Sequence, residues 1–351
     1  MAELQNSDGD RAGERTQPTP EPSTGRGVFR LLCLPLLAYV AVLILVTVFQ
    51  RRLIYHPATA GAIEISDSPF SAERARTVTV TTSDGLVLRG WHVLPNNASP
   101  ERTAVFRQLA ENPALNTGQE AGGTAFDGTR VVVLYFCGNG GHRAYRDDSI
   151  RLLTNCGADV VIFDYRGYGD NPGTPAAEDI ARDVRVQWDW LTGQEQVPAG
   201  KIVLFGESLG GGVAVRLAAE ACADEAPPAG LILRSTFSSL ASVGAVHFPW
   251  LPVRWLLRER FDSAARLPHV TCPLLQIHGD RDDIVPLSEG RLLATHAPRT
   301  SASGIPPEFL TLPGVGHNNV TSMARREVSQ AVQQFLQRLG LAESDEKSSV
   351  E

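Results

Sequence analysis

The stretch Ile202-Val203-Leu204-Phe205-Gly206-Glu207-Ser208-Leu209-Gly210-Gly211-Gly212 decides how this chain is read. Four apolar residues signal a short buried strand, they run into Gly-x-Ser-x-Gly, and Val213 to Ala221 then carries helical periodicity. Strand, sharp turn and helix in that order present a serine on strained backbone. The glycines matter because neighbours without a Cβ let the chain bend and the helix approach closely. Ser208 then stands at a helix N-terminus, where unpaired N–H groups and the dipole favour developing negative charge. Such a pentapeptide arises by chance in roughly one chain of this composition in five, and a glycine-rich turn closing a buried strand is the plainer reading, so the motif needs partners elsewhere.

Two partners lie downstream. The apolar run Leu274 to Ile277 leads into His278-Gly279-Asp280-Arg281-Asp282-Asp283, a loop with three carboxylates that serve equally as a solvated turn, as caps for a helix starting near Leu287, or as an acid for a histidine. Leu310 to Leu312 leads into Pro313-Gly314-Val315-Gly316-His317-Asn318. Of the eight histidines, His317 alone follows the acid loop, sits just beyond a strand and has a glycine-rich approach. The order Ser, Asp, His differs from the orders on other triad folds. Upstream, the run Val131 to Phe136 ends at Cys137-Gly138-Asn139-Gly140-Gly141, where a backbone N–H of Asn139, with Gly140 as its rival, pairs with that of Leu209 as a candidate oxyanion hole; a plain strand-to-helix loop fits the same residues.

Around these motifs the pattern alternates. Strands are predicted at Asp159–Phe163, Lys201–Phe205, Gly230–Leu233, Pro273–Ile277 and Phe309–Leu312 with helical stretches between them, which means a mostly parallel sheet. A hairpin of Arg76–Thr82 and Leu86–Leu94 about Ser83-Asp84-Gly85 opens the domain, and residues 95–130 read as a polar loop inserted before the next strand, with a short helix-like stretch. Sheets of this kind bind ligands at the carboxyl ends of their strands, where the three candidate residues fall.

Residues 1–27 are rich in Pro, Gly, Glu, Thr and Ser and read as a disordered tail, as do 342–351. Leu31 to Phe49 runs 19 residues without a charge between Arg30 and Arg51-Arg52, which predicts a transmembrane anchor over 28–50, followed by a linker over 51–76 and a domain over 77–341. A core helix or a cleaved signal peptide are the alternatives, but Ala58-Thr59-Ala60 lies too far downstream for cleavage. Arginines at 11, 15, 26 and 30 against 51 and 52 put the N-terminus in the cytoplasm and the domain outside. The net charge of −7 and the lack of a basic block argue against nucleic acid as a partner. The five cysteines are scattered, without ligand spacing, and read as buried thiols; no metal or organic cofactor is implied.

These motifs resemble the α/β-hydrolase superfamily, and within it the membrane-anchored α/β-hydrolase-domain serine hydrolases. The likeness spans Gln50 to Leu339 and rests on Leu53-Ile54-Tyr55-His56-Pro57, Asp164-Tyr165-Arg166-Gly167-Tyr168-Gly169, the serine turn, Phe261-Asp262-Ser263, the His278 to Asp282 loop and Gly316-His317-Asn318. The resemblance implies an α/β fold with a central, mostly parallel sheet flanked by helices, and Asp282 as the acid. Relatives carry His-Gly-Asn where this chain has Cys137-Gly138-Asn139. It further implies a Ser-His-Asp hydrolase of carboxylic esters or thioesters acting on small-molecule or lipid-like acyl substrates at a membrane. A catalytically silent membrane scaffold and an acyltransferase using the same serine are the other readings. The apolar run Phe248 to Leu257, within 241–268, reads as a small lid or as an ordinary packed helix.

Overall fold

The structure, a computed structural model, describes residues 24–111, 125–126 and 128–341. They fall into two units that part between Val48 and Phe49. The first holds most of helix α1 (Thr24–Ile54), which contains a segment, Cys33–Ile54, long and apolar enough to cross a membrane. The predicted tail over 1–27 lies largely, and that over 342–351 wholly, outside the described residues.

In the second unit a two-residue strand β1 (His56–Pro57) precedes β2 (Ala75–Thr81) and β3 (Val87–Val93), the predicted hairpin. Its turn closes at Gly85, whose φ of 85° suits a residue without a Cβ. Then come α2 (Pro100–Glu111), β4 (Val132–Phe136), β5 (Gly140–Gly141), α3 (Asp147–Asn155), β6 (Asp159–Phe163), α4 (Ala177–Asp189), β7 (Ile202–Glu207) and α5 (Leu209–Ala223). The chain ends through β8 (Gly230–Arg234), α6 (Leu240–His247), α7 (Val253–Leu256), α8 (Ser263–Arg266), β9 (Leu274–Gly279), α9 (Leu287–Ala294), β10 (Glu308–Leu312), α10 (Val320–Met323) and α11 (Arg325–Arg338).

Eight strands form one sheet in the order β10-β9-β8-β7-β4-β6-β3-β2. Every pair from β10 to β6 is parallel, and only β3 runs against its neighbours. The parallel strands are covered on both faces, which is why β4, β6, β7 and β8 read as unbroken apolar runs rather than alternations. Ile162, Val203, Leu204 and Ile232 have no exposed surface. One group of helices packs α3 with α10 and α11, and another packs α5 with α4 and α8. The order of strands puts β7 in the middle, so the turn after it stands at the centre of the carboxyl edge.

Two expectations need correction. Residues 51–76 are no free linker: Tyr55, Ile63 and Phe70 are buried, β1 pairs with β5, and Ile63 is held by Asp170 and Arg143. The short helix-like stretch expected within 95–130 is Pro100–Glu111, a twelve-residue helix anchored where Arg102 donates to both oxygens of the buried Asp159 at 3.1 and 2.8 Å and Phe106 lies buried against His92. The thiols also divide, since Cys137 and Cys272 are buried whereas Cys33, Cys156 and Cys222 are half-buried.

Candidate active site

Ser208 sits between β7 and α5 at φ 53°, ψ −115°, a conformation that non-glycine residues avoid. What holds it there is close packing by its neighbours. A Cβ on Gly206 would come within 2.5 Å of the Gly210 carbonyl, and one on Gly210 within 2.5 Å of the Cys137 carbonyl. The serine N–H donates to the Arg234 carbonyl at 2.9 Å, and its own carbonyl accepts from Thr236 Oγ1 at 2.8 Å. The hydroxyl is thereby fixed at the edge of the sheet with only 9% of the residue exposed.

The loops after β9 and β10 bring in the other two predicted side chains. His317 Nε2 lies 3.0 Å from Ser208 Oγ and its Nδ1 lies 2.7 Å from Asp282 Oδ2. Ser208 and His317 are 109 residues apart in the chain, and His317 and Asp282 are 35 apart. The other oxygen of Asp282 accepts from the Ile284 and Val285 N–H groups at 3.0 and 2.7 Å. Burial works against its charged form, but hydrogen bonds from His278, His317 and Val285 overcome that and hold the carboxyl well below the usual carboxylate range. The neighbouring acids do other things: Asp280 accepts from the Gly314 N–H at 2.7 Å, and Asp283 is exposed.

Leu209, buried, begins α5, so its N–H belongs to the unpaired first turn of that helix. Asn139 follows β4, and its side chain is tied at both ends. The amide donates to the Ile54 carbonyl, and the amide oxygen accepts from Tyr168 Oη at 2.8 Å. Gly140, the rival, is exposed and paired with His56 in β5. Between them and the serine, a Cβ on Gly138 would lie 3.6 Å from Ser208 Cβ, which fixes how near this turn comes.

Sequence reasoning missed three residues here. Glu207, the residue before the serine, accepts from Arg234 Nη2 at 2.6 Å and from Tyr135 Oη at 2.5 Å, with Arg146 Nε at 3.7 Å. Burial opposes its charge, yet Arg234 and Arg146 prevail and lower its pKa to about 2. His278, fully enclosed, lies with Nε2 2.8 Å from the Val285 carbonyl and 3.4 Å from Asp282 Oδ2, bracing the acid loop. Tyr168 braces Asn139. The visible signals were the places of His278 and Tyr168 in motifs that carry the resemblance; Glu207 had none. Among the described residues no cluster of His, Cys, Asp or Glu could hold a metal ion.

Chemically, a hydroxyl, an imidazole and a carboxylate in hydrogen-bonded sequence at a helix N-terminus suit proton transfer from an attacking oxygen and stabilisation of the charge that follows.

Comparison with known proteins agrees with the fold. A family model of the alpha/beta hydrolase fold matches residues 131–269. The chain is 39% identical over 314 residues to the uncharacterized protein Rv2307c of Mycobacterium tuberculosis, covering 88% of this chain and 96% of that one. It is 28% identical over 225 residues to the lysophosphatidylserine lipase ABHD12 of Danio rerio, covering 60% of this chain and 55% of that lipase, so it spans about half the length of that relative. The esterase Pf2001 of Pyrococcus furiosus superposes with a TM-score of 0.56 over 81% of this chain and 98% of its own, at 20% identity. Eight strands in this order, a serine turn after the central one and these likenesses agree: the chain belongs to the α/β-hydrolase superfamily.

Proposed function

We propose that this hydrolase is a membrane-anchored serine hydrolase cleaving carboxylic ester or thioester bonds of lipid-like acyl substrates. The observation that carries the reading is the position of the His317 imidazole, 3.0 Å from the Ser208 hydroxyl and 2.7 Å from Asp282. His317 takes the serine proton as Oγ attacks the acyl carbon, and Asp282 holds the tautomer that leaves Nε2 free to accept it. The oxyanion is met by the N–H groups of Leu209 and Asn139, and the leaving group takes the proton back from His317. Water then repeats the sequence on the acyl-enzyme.

The apolar segment Cys33–Ile54 supports attachment to a bilayer, and the lysophosphatidylserine lipases among the relatives support a lipid-like substrate. A fluorophosphonate probe labels the wild type and leaves Ser208→Ala unlabelled, while that variant loses turnover of a p-nitrophenyl ester by orders of magnitude. Undiminished turnover by Ser208→Ala would favour a scaffold whose activity comes from a contaminant. Comparing short with long acyl chains, presented in vesicles, reads the substrate class directly.

A further inference from the structure

Large apolar side chains are exposed between the end of α6 and α7, where Phe248 and Trp250 also meet edge to face with ring centroids 6.5 Å apart. Val246, Phe248, Trp250 and Trp255 are exposed, Trp255 at 88%. A soluble surface rarely gathers such large apolar side chains without a partner. The patch has two neighbours. At one end His247 Nε2 lies 2.8 Å from the carbonyl of Ile284, itself exposed and two residues beyond Asp282. At the other end it meets the last turns of α1: the Arg258 N–H donates to Gln50 Oε1 at 2.8 Å, and Arg51 Nε donates to Glu259 Oε1 at 2.8 Å.

That second end is also cationic. Arg51, Arg52, Arg254, Arg258 and Arg260 are all exposed. Glu259 is buried and already shared by Arg51, Tyr55 and the Ala177 N–H. Among the described residues, no carboxylate pairs with the side chains of Arg254, Arg258 or Arg260. In a chain of net charge −7 this concentration of positive charge is local. Tryptophan beside arginine, next to the end of an apolar span, is the composition of a membrane–water interface, where indole rings sit among headgroups and guanidinium groups among phosphates.

We infer that the face made by Val246 to Arg260 and the end of α1 docks on an anionic lipid bilayer, with Trp250 and Trp255 entering the headgroup layer and Arg254, Arg258 and Arg260 meeting lipid phosphates. This rests on the reading of Cys33–Ile54 as a span, and it adds a second, electrostatic contact to that anchor. It also sets the rim beside Asp282 and Ile284 next to the lipid surface, so that an acyl chain reaches the serine without crossing much water.

The five tryptophans make the test direct, because Trp91, Trp188 and Trp190 are buried and Trp250 and Trp255 supply the exposed signal. The full chain is reconstituted in vesicles of phosphatidylcholine alone or mixed equally with phosphatidylglycerol, each with brominated acyl chains as the quencher. Wild-type fluorescence is quenched, more strongly with phosphatidylglycerol, and the excess fades in high salt. The W250F/W255F variant loses most of the quenching, and R254E/R258E/R260E, which replaces three cations by anions at a negative surface, loses most of the phosphatidylglycerol-dependent part. Circular dichroism checks that both variants keep the fold. A chain that fails to float with the vesicles fails as a span and takes the docking with it. A chain that floats but leaves these tryptophans unquenched and open to acrylamide overturns the docking alone, and shielding that appears only with cross-linked dimers assigns the patch to a second copy. Labelling of Ser208 by a fluorophosphonate is read separately, so failure of the hydrolase reading is told apart from either.

Discussion

Asn139 is a case in which a side chain serves its own backbone. Both ends of its amide are occupied, by the Ile54 carbonyl and by Tyr168 Oη, so the peptide N–H proposed to meet the oxyanion would be held without the side chain touching substrate. Asn139→Ala therefore lowers kcat about tenfold or more with KM little changed, and Tyr168→Phe produces a smaller fall of the same kind, measured with a soluble ester. At the acid, Asp282→Asn keeps an oxygen for the Ile284 and Val285 N–H groups but favours the wrong imidazole tautomer, so kcat drops by about 10⁴ while the fold persists. Equal activity of Asp282→Asn would remove the carboxylate from the mechanism. The meeting of Ser208, Asp282 and His317 was legible in the sequence because each stands just beyond an apolar run, where an α/β sheet collects its loops. Asp282 over Asp280 and Asp283 came only from the family pattern, since the deciding contact is to a ring 35 residues away.

Among the elements, β7 carries two kinds of information. Its buried run was visible as a strand, whereas its last residue, Glu207, gave no signal that it would meet Arg234 of β8 and Tyr135 of β4. Its pKa is lowered to about 2 from an ordinary 4.5, so the carboxylate contributes stability that is fully present above pH 4.5 and is lost as the pH falls toward 2. The contribution is on the order of 3 kcal/mol, and Glu207→Gln removes that slope, leaves Arg234 buried without its charge partner and lowers stability near neutral pH. Urea unfolding at a series of pH values checks this, and two parallel curves for wild type and variant would dismiss it. The same contrast explains α2. Its good helix formers show as a helix-like stretch, but no clear apolar face says where it packs, and what fixes it is tertiary, the Arg102 to Asp159 pair and the burial of Phe106.

Across the whole body of the hydrolase, Glu259 gathers segments that the sequence leaves unrelated. Tyr55 Oη donates to it at 2.7 Å across 204 residues, Arg51 at 2.8 Å across 208, and the first N–H of α4 at 2.6 Å. Residues 51–76 read as a linker because such contacts have no local pattern; only a buried tyrosine and a sheltered carboxylate reveal them, and both need coordinates. Removing the carboxylate leaves the buried Tyr55 phenol and the α4 N–H without an acceptor, and each orphaned group costs about 1 to 3 kcal/mol. Glu259→Ala thus lowers the thermal midpoint by about 5 °C or more in a domain of this size, while Glu259→Gln, which still accepts hydrogen bonds, recovers part of the loss. The two variants separate packing from charge. If alanine and glutamine fall equally, the pairing with Arg51 is what matters; if alanine leaves the midpoint unchanged, the end of α1 is not tied to the hydrolase body through this residue.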